Sequence, residues 1–457
     1  MKTNVPQDSA LHRTKSHTIL IAFSICLLIF ATACAQEQEA PAVERPASQR
    51  RAARQQNDEN NNAIEPGPQD AQAPPQTAEN ETLIDAAPET QQPRPCEYLR
   101  DFSFDGSIVF AAHTNGLDDG LLDIIITMEN YGICFYEIIE PNSVVLLQIN
   151  VQWAERGGTN TDLIARTIEA ILAHPLGFTG EIIVADNGQA QFGSDRRGGN
   201  LNWANPNSAC RQQSTLDVVT SFRQRGYHVS AVLWDEFTTV RVGRFSDGDY
   251  TDGFIVEDYI FPTGLEVSYP KFTTQFGTHV SFSEGIWDSA SGTYDSERLR
   301  VITMPVLKSH GLFQQTGVVK GYMGVVSDRL TNMRSHHSVG TGGMGTIMVQ
   351  TRMPVLNIMD MIWVGPDRGP ASSYASAVEV NMIAVSLDPV ALDVWATRHV
   401  LIPLAEQIPG GRAAAMNPAG TEPGTFGHWL RLSLNEMTAA GYNFTMDESE
   451  ILLVMAN

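Results

Sequence analysis

Between Ser107 and Trp234 the chain repeats one pattern, a short apolar run followed by a longer stretch with its apolar residues on one helical face. Ser107–Ala112 (SIVFAA), Val144–Val151 (VVLLQINV), Glu181–Ala185 (EIIVA) and His228–Trp234 (HVSAVLW) read as strands. Gly116–Tyr131, Thr161–His174 and Leu216–Gly226 read as the helices between them. A strand covered on both faces needs no polar alternation, and VVLLQINV has almost none. Strands and helices alternating in this way predict an α/β fold, a mainly parallel sheet with flanking helices. Strand signals return at Leu299–Met304 and Pro354–Met361, helices start near Asp388 and cover Phe426–Ala440, and Glu450–Met455 closes the sheet. The aromatic, Gly- and Thr-rich segment Arg241–Trp287 breaks the pattern and reads as a small irregular or antiparallel insertion, residues 241–287. Ligands of such sheets sit beyond the carboxyl ends of the strands, so the loops after strands are where chemistry is sought.

The amino-terminal region reads as an address. Lys2, Arg13 and Lys15 precede an uncharged apolar run from Thr18 to Ala33. That run is short for a spanning helix, which needs about 20 residues, and suits the core of a secretory signal. Ala31-Thr32-Ala33-Cys34 resembles the lipobox of bacterial lipoproteins, whose cysteine is diacylated and becomes the mature amino terminus. The resemblance implies a signal peptide over 1–33, lipidation of Cys34 and a membrane partner held through lipid. An ordinary signal cut near Ala35 and an uncleaved anchor are the alternatives. The expected location is the cell envelope, at the outer membrane if the cell has one, because Ala35 is not the aspartate that retains a lipoprotein at an inner membrane.

Residues 34–95 are rich in Gln, Glu, Ala, Pro and Asn and poor in aromatic and β-branched residues, which predicts a disordered tether ahead of a domain over 96–457. The formal net charge of −22 argues against nucleic acid as a partner. Cys96, Cys134 and Cys210 remain beyond the tether, which predicts one disulfide and one thiol with the pairing open. None of them forms the spacing of an iron–sulfur or zinc motif, and the cofactor is left unassigned.

The most informative stretch follows the strand at Leu299: Pro305-Val306-Leu307-Lys308-Ser309-His310-Gly311, then Thr316-Gly317-Val318-Val319-Lys320-Gly321, then His336-His337. A GP loop (Asp360–Pro370) and Ser386-Leu387-Asp388-Pro389-Val390-Ala391-Leu392-Asp393 come next. In this order the runs resemble the family known as domain of unknown function 362, over roughly Ser107 to Asn457. The resemblance implies an α/β fold and no established reaction. The ferredoxin-like segment attached to many members is absent from this sequence. Gln148 stands where the family tends to have lysine, and Gly321 where asparagine is usual.

Lys308 and Lys320 are the residues to neutralise a small anionic ligand, and His310 the residue to move a proton, which makes these three the candidate catalytic set. Asp186, Asp360, Asp388 and Asp393 are candidate ligand-binding carboxylates; Asp388, directly before Pro389, reads equally as a helix N-cap. His336 and His337 are candidate metal ligands, although their spacing matches no standard zinc pattern. The glycines of Val339–Gly345 lack the Gly-Lys-Ser/Thr of a phosphate loop and read as a surface loop. The expectation is an enzyme acting on a small anionic metabolite, with a non-catalytic ligand- or partner-binding lipoprotein as the alternative.

Overall fold

The computed structural model describes residues 104–152, 155–189, 199–202, 213–369 and 376–456. The expectations for Cys34, the signal, the tether, Cys96 and Cys210 lie outside the described residues.

The first half of the fold follows the sequence pattern: β1 (Ser107–His113), α1 (Gly120–Asn130), β2 (Val144–Ile149), α2 (Thr161–Leu172), β3 (Glu181–Asp186), α3 (Thr215–Gln224) and β4 (Val229–Leu233). The lobe follows, with β5 (Gly253–Ile260), β6 (Glu266–Thr273), β7 (His279–Ser281), β8 (Gly285–Asp288) and β9 (Thr293–Asp295) in a five-stranded antiparallel sheet. Its strands run to Asp295, beyond the Trp287 at which the composition change ends. The chain then returns through β10 (Leu299–Met304), β11 (Val306–His310), β12 (Gln314–Thr316), α4 (Val318–Gly321), α5 (Arg334–Ser338) and α6 (Gly343–Gln350). β13 (Leu356–Gly365), β14 (Val378–Ser386), α7 (Pro389–Ala396), α8 (Phe426–Ala439) and β15 (Ile451–Met455) follow, with short helical turns between them.

The main sheet has the order β15-β1-β14-β13-β10-β2-β3-β4, with β11 and β12 attached beside β13. The five strands from β13 to β4 are all parallel, and β14 runs against its neighbours β1 and β13. Successive side chains of β2 go to opposite faces, as the pleat requires. Val145 and Leu147 join Ile124, Ile164 and Phe222 of α1, α2 and α3, whereas Val144 and Leu146 join Phe254, Ile347 and Trp429 of the lobe, α6 and α8. Both faces of the central strands are therefore covered.

Two strands depart from the sequence reading. Pro305 ends β10, but β13 continues as the partner of β11, with Val306 opposite Asp360, so the expected loop after Met304 begins as a strand. β14 had no clear signal: its first half is exposed or half-buried, and Asn381 interrupts it with φ +51°. Cys134 is disulfide-bonded, to a cysteine outside the described residues. No described helix is long and apolar enough to cross a membrane.

Candidate active site

β2 ends at Ile149 while the chain of β10 runs on past Pro305, and the next residue after β2 occupies the edge it leaves. Asn150 Oδ1 accepts the Val306 N–H at 3.0 Å and the Lys308 ammonium at 3.1 Å. The same ammonium donates to the Gly157 carbonyl at 2.8 Å. Beside these groups lies a cavity of about 110 Å³, bordered by Asp186, Lys308, His310, Lys320, Gly324 and His336 among others. It sits at the carboxyl ends of β3 and β11, where a parallel sheet places its ligands.

Lys320 comes from the single turn of α4. The start of that turn is held by Asp393 of α7, whose oxygens accept the Val318 and Val319 N–H groups at 2.7 and 3.0 Å. Lys320 is 4 % exposed, and among the described residues no hydrogen bond or ion pair reaches its ammonium. The Phe313 ring lies 5.3 Å from it. Burial lowers the Lys320 ammonium to about 8, with Asp328 opposing. Lys308 falls further, to about 7, again through burial, with Asp186 and Asp360 opposing and Lys320 adding to the fall.

The two histidines are held in opposite ways. His310 Nδ1 accepts the N–H groups of Leu312 and Phe313, both at 3.1 Å, so the proton of its neutral ring resides on Nε2. Burial, then Lys320, His336 and Lys308, push its ring down to about 2. It is thus a donor at neutral pH and a poor base. His336 Nδ1 instead bonds Asp328 Oδ2, and Asp328 is fully buried, with Oδ1 accepting the Ser335 N–H at 3.1 Å. A carboxylate on Nδ1 keeps the proton there and leaves Nε2 with a lone pair. The Phe313 ring lies 5.0 Å from the His310 ring and 6.4 Å from that of His336, spacing the two.

Asp186 completes the wall. Its Oδ2 accepts the Val151 N–H at 2.9 Å, and burial raises the carboxyl to about 7 against that bond, the Asn187 N–H and Lys308, with Asp235 adding to the rise. A Cβ at Gly324 would come within 2.6 Å of Asp186 Oδ1 and 3.0 Å of Gln148 Nε2, so only glycine lets the chain pass there undisturbed. Gln189, Gln314, Asn332 and Met333 all take positive φ, of 56°, 70°, 50° and 62°. Gln189 borders the cavity, Gln314 follows Phe313, and Asn332 and Met333 precede α5. Strain of this kind persists where the surroundings over-determine the backbone, commonly at functional sites.

The structure brings together Lys308, His310, Lys320, Asp186 and His336 of the residues singled out from sequence. Asp360, Asp388 and Asp393 do not line the cavity. Asp360 accepts the Asn160 and Ile362 N–H groups at 2.7 and 3.0 Å, and burial lifts its carboxyl to about 6. Asp388 is the N-cap of α7, with Oδ1 accepting Val390 and Ala391 N–H and Oδ2 accepting Thr445 N–H and the Ser107 hydroxyl. With these oxygens committed to backbone N–H groups and the Ser107 hydroxyl, the capping alternative is the one seen. His337 is exposed, and no described group of three or more His, Cys, Asp or Glu is arranged to hold a metal. Sequence reasoning missed Asp328 and Asn150, neither of which stands in a recognisable motif. Gln148 and Gly321, the two departures from the family pattern, adjoin: Gln148 Nε2 donates to the Gly321 carbonyl at 3.0 Å.

No curated protein and no solved structure matches the chain. A family model described as domain of unknown function (DUF362) matches residues 296–398, which run from the approach to β10 to the residues just after α7. That segment supplies Lys308, His310, Lys320, Asp328 and His336, while Asn150 and Asp186 reach the cavity from outside it. The likeness to the DUF362 family is thus carried by residues 296–398.

Proposed function

We propose that the cavity is an active site for proton transfer on a small anionic metabolite. The observation that carries this reading is one small cavity holding a buried ammonium without a described carboxylate partner, a histidine donor and a carboxylate-oriented histidine acceptor. Lys320 holds the anion. His336 Nε2 takes a proton from the carbon next to the carboxylate or carbonyl, and Asp328 stabilises the resulting imidazolium. His310 Nε2–H donates to the oxygen on which negative charge builds. Asp186 and Lys308, both near 7, are placed to return a proton at neutral pH.

The test incubates the full chain in deuterated buffer with a panel of two- to four-carbon hydroxy and keto acids. Deuterium is expected at the carbon beside the carboxylate or carbonyl of one of them, with a rate on the order of a thousandfold lower for His336→Asn. No exchange across the panel would sink the enzyme reading. An acid bound and recovered unchanged supports the binding-protein alternative.

We also propose that the domain is exported and tethered to the envelope through lipid on Cys34, with the tether of residues 34–95 between them. Two acyl chains on one cysteine hold a protein to a bilayer durably. Labelled fatty acid fed to expressing cells should enter the native chain and be absent from Cys34→Ala; equal labelling of both overturns this address.

A further inference from the structure

The described side chains that line the cavity are all polar or glycine; no hydrocarbon side chain is among them. A ligand with an apolar tail would have nothing to bury that tail against, so the occupant is polar throughout. The wall is also divided by sign. Lys320, Lys308 and His310 supply the donors of that wall. Asp186 is the carboxylate of the same wall, and it cannot meet the lone pairs of a second anionic oxygen without repulsion. The Asp186 side, with Lys308 near it, can accept an O–H or N–H of the ligand. Its carboxylate is pinned by the Val151 N–H at 2.9 Å and by the close pass of Gly324, so it cannot turn away to solvent.

An ammonium on the ligand would meet this requirement but would also face Lys320, whose charge opposes it. A hydroxyl donates without adding a charge. Resting on the proton-transfer site proposed above, we infer that the ligand is a small hydroxy acid, a carboxylate with a hydroxyl on the neighbouring carbon and no hydrocarbon tail. The carboxylate meets Lys320, and the hydroxyl donates to Asp186.

Acetate, glycolate and glycine present the same carboxylate on two carbons with a hydrogen, a hydroxyl or an ammonium beside it. Equilibrium titration of the full chain with each at pH 7.5 separates the readings. Glycolate should bind about tenfold or more tighter than acetate, the yield of one hydrogen bond to a charged group, and glycine should bind more weakly than glycolate. Asp186→Asn should bring glycolate down towards acetate, because the variant removes the charged acceptor that only glycolate uses. Equal binding of acetate and glycolate overturns the hydroxy-acid assignment and leaves the anion site standing. Glycine binding tighter than glycolate overturns it in favour of an amino acid. Binding of none of the three removes the anion site, and the inference with it.

Discussion

A Lys320→Met variant should unfold at a higher temperature than the native chain and lose its affinity for acetate. Lys320 is buried, and its ammonium stands against an aromatic ring rather than a described carboxylate. The folded protein holds it near 8, against 10.5 for an ordinary lysine, with burial the first cause and Asp328 the opposing charge. Below pH 8 the lysine is charged in both folded and unfolded chains, so the penalty of burying that charge is fully present. From pH 8 to 10.5 the folded protein sheds the proton that the unfolded chain still binds, and stability climbs with pH. Above 10.5 the penalty is gone. The difference in pKa corresponds to about 3 kcal/mol at neutral pH, or roughly 3–6 °C for a domain of this size. Methionine has similar length and no charge, so the variant removes the penalty without opening a large void. Its advantage should be constant below pH 8 and should shrink between 8 and 10.5. A variant that melts at or below the native temperature, or that still binds acetate, would show that Lys320 is a structural cation. Stability given up at one residue in exchange for a charged, waiting site is the pattern expected of function.

The sequence made the central sheet legible because its strands are buried on both faces. A run such as VVLLQINV then has one physical explanation, and the helices between such runs show their apolar stripe. β14 was harder to see because its first residues are exposed or half-buried and Asn381 breaks its register. Lys308 and His310 were found because they follow a buried strand directly. Asp388 and Asp393 were candidates for ligand binding because a carboxylate that caps a helix and one that binds a ligand look alike in sequence. Which it is depends on the N–H groups nearby, and for Asp393 those belong to α4, far away in the chain. His336 and His337 looked equivalent, but adjacent residues of a helix point about 100° apart, so one faces the cavity and the other is exposed. Asp328 escaped notice because its role is to orient another residue, a relation that only the fold creates.

The second large effect concerns that orientation. In the native chain the two cavity histidines should hold Nδ1 in opposite ways, His336 with a proton on Nδ1 and His310 with a lone pair on Nδ1 and its proton on Nε2. The ring partners require this: a carboxylate on one Nδ1, two backbone N–H groups on the other. Nitrogen-15 spectra of the imidazole rings read the tautomer directly and need no substrate. Asp328→Asn should reverse His336 while leaving His310 as it was. The asparagine oxygen can keep the Ser335 N–H that Asp328 Oδ1 now accepts, and its amide nitrogen then faces His336 Nδ1 as a donor. The imidazole must answer with a lone pair on Nδ1, which moves its proton to Nε2 and removes the base from the cavity. Loss of the orienting carboxylate in triads of this logic lowers turnover by roughly 10⁴-fold with the geometry intact, and a fall of 10³–10⁴-fold in deuterium exchange is expected here. If His336 keeps its tautomer in the variant, or if exchange survives its reversal, His336 is not the base. An unchanged His310 is the internal control, because nothing in its two backbone hydrogen bonds depends on Asp328.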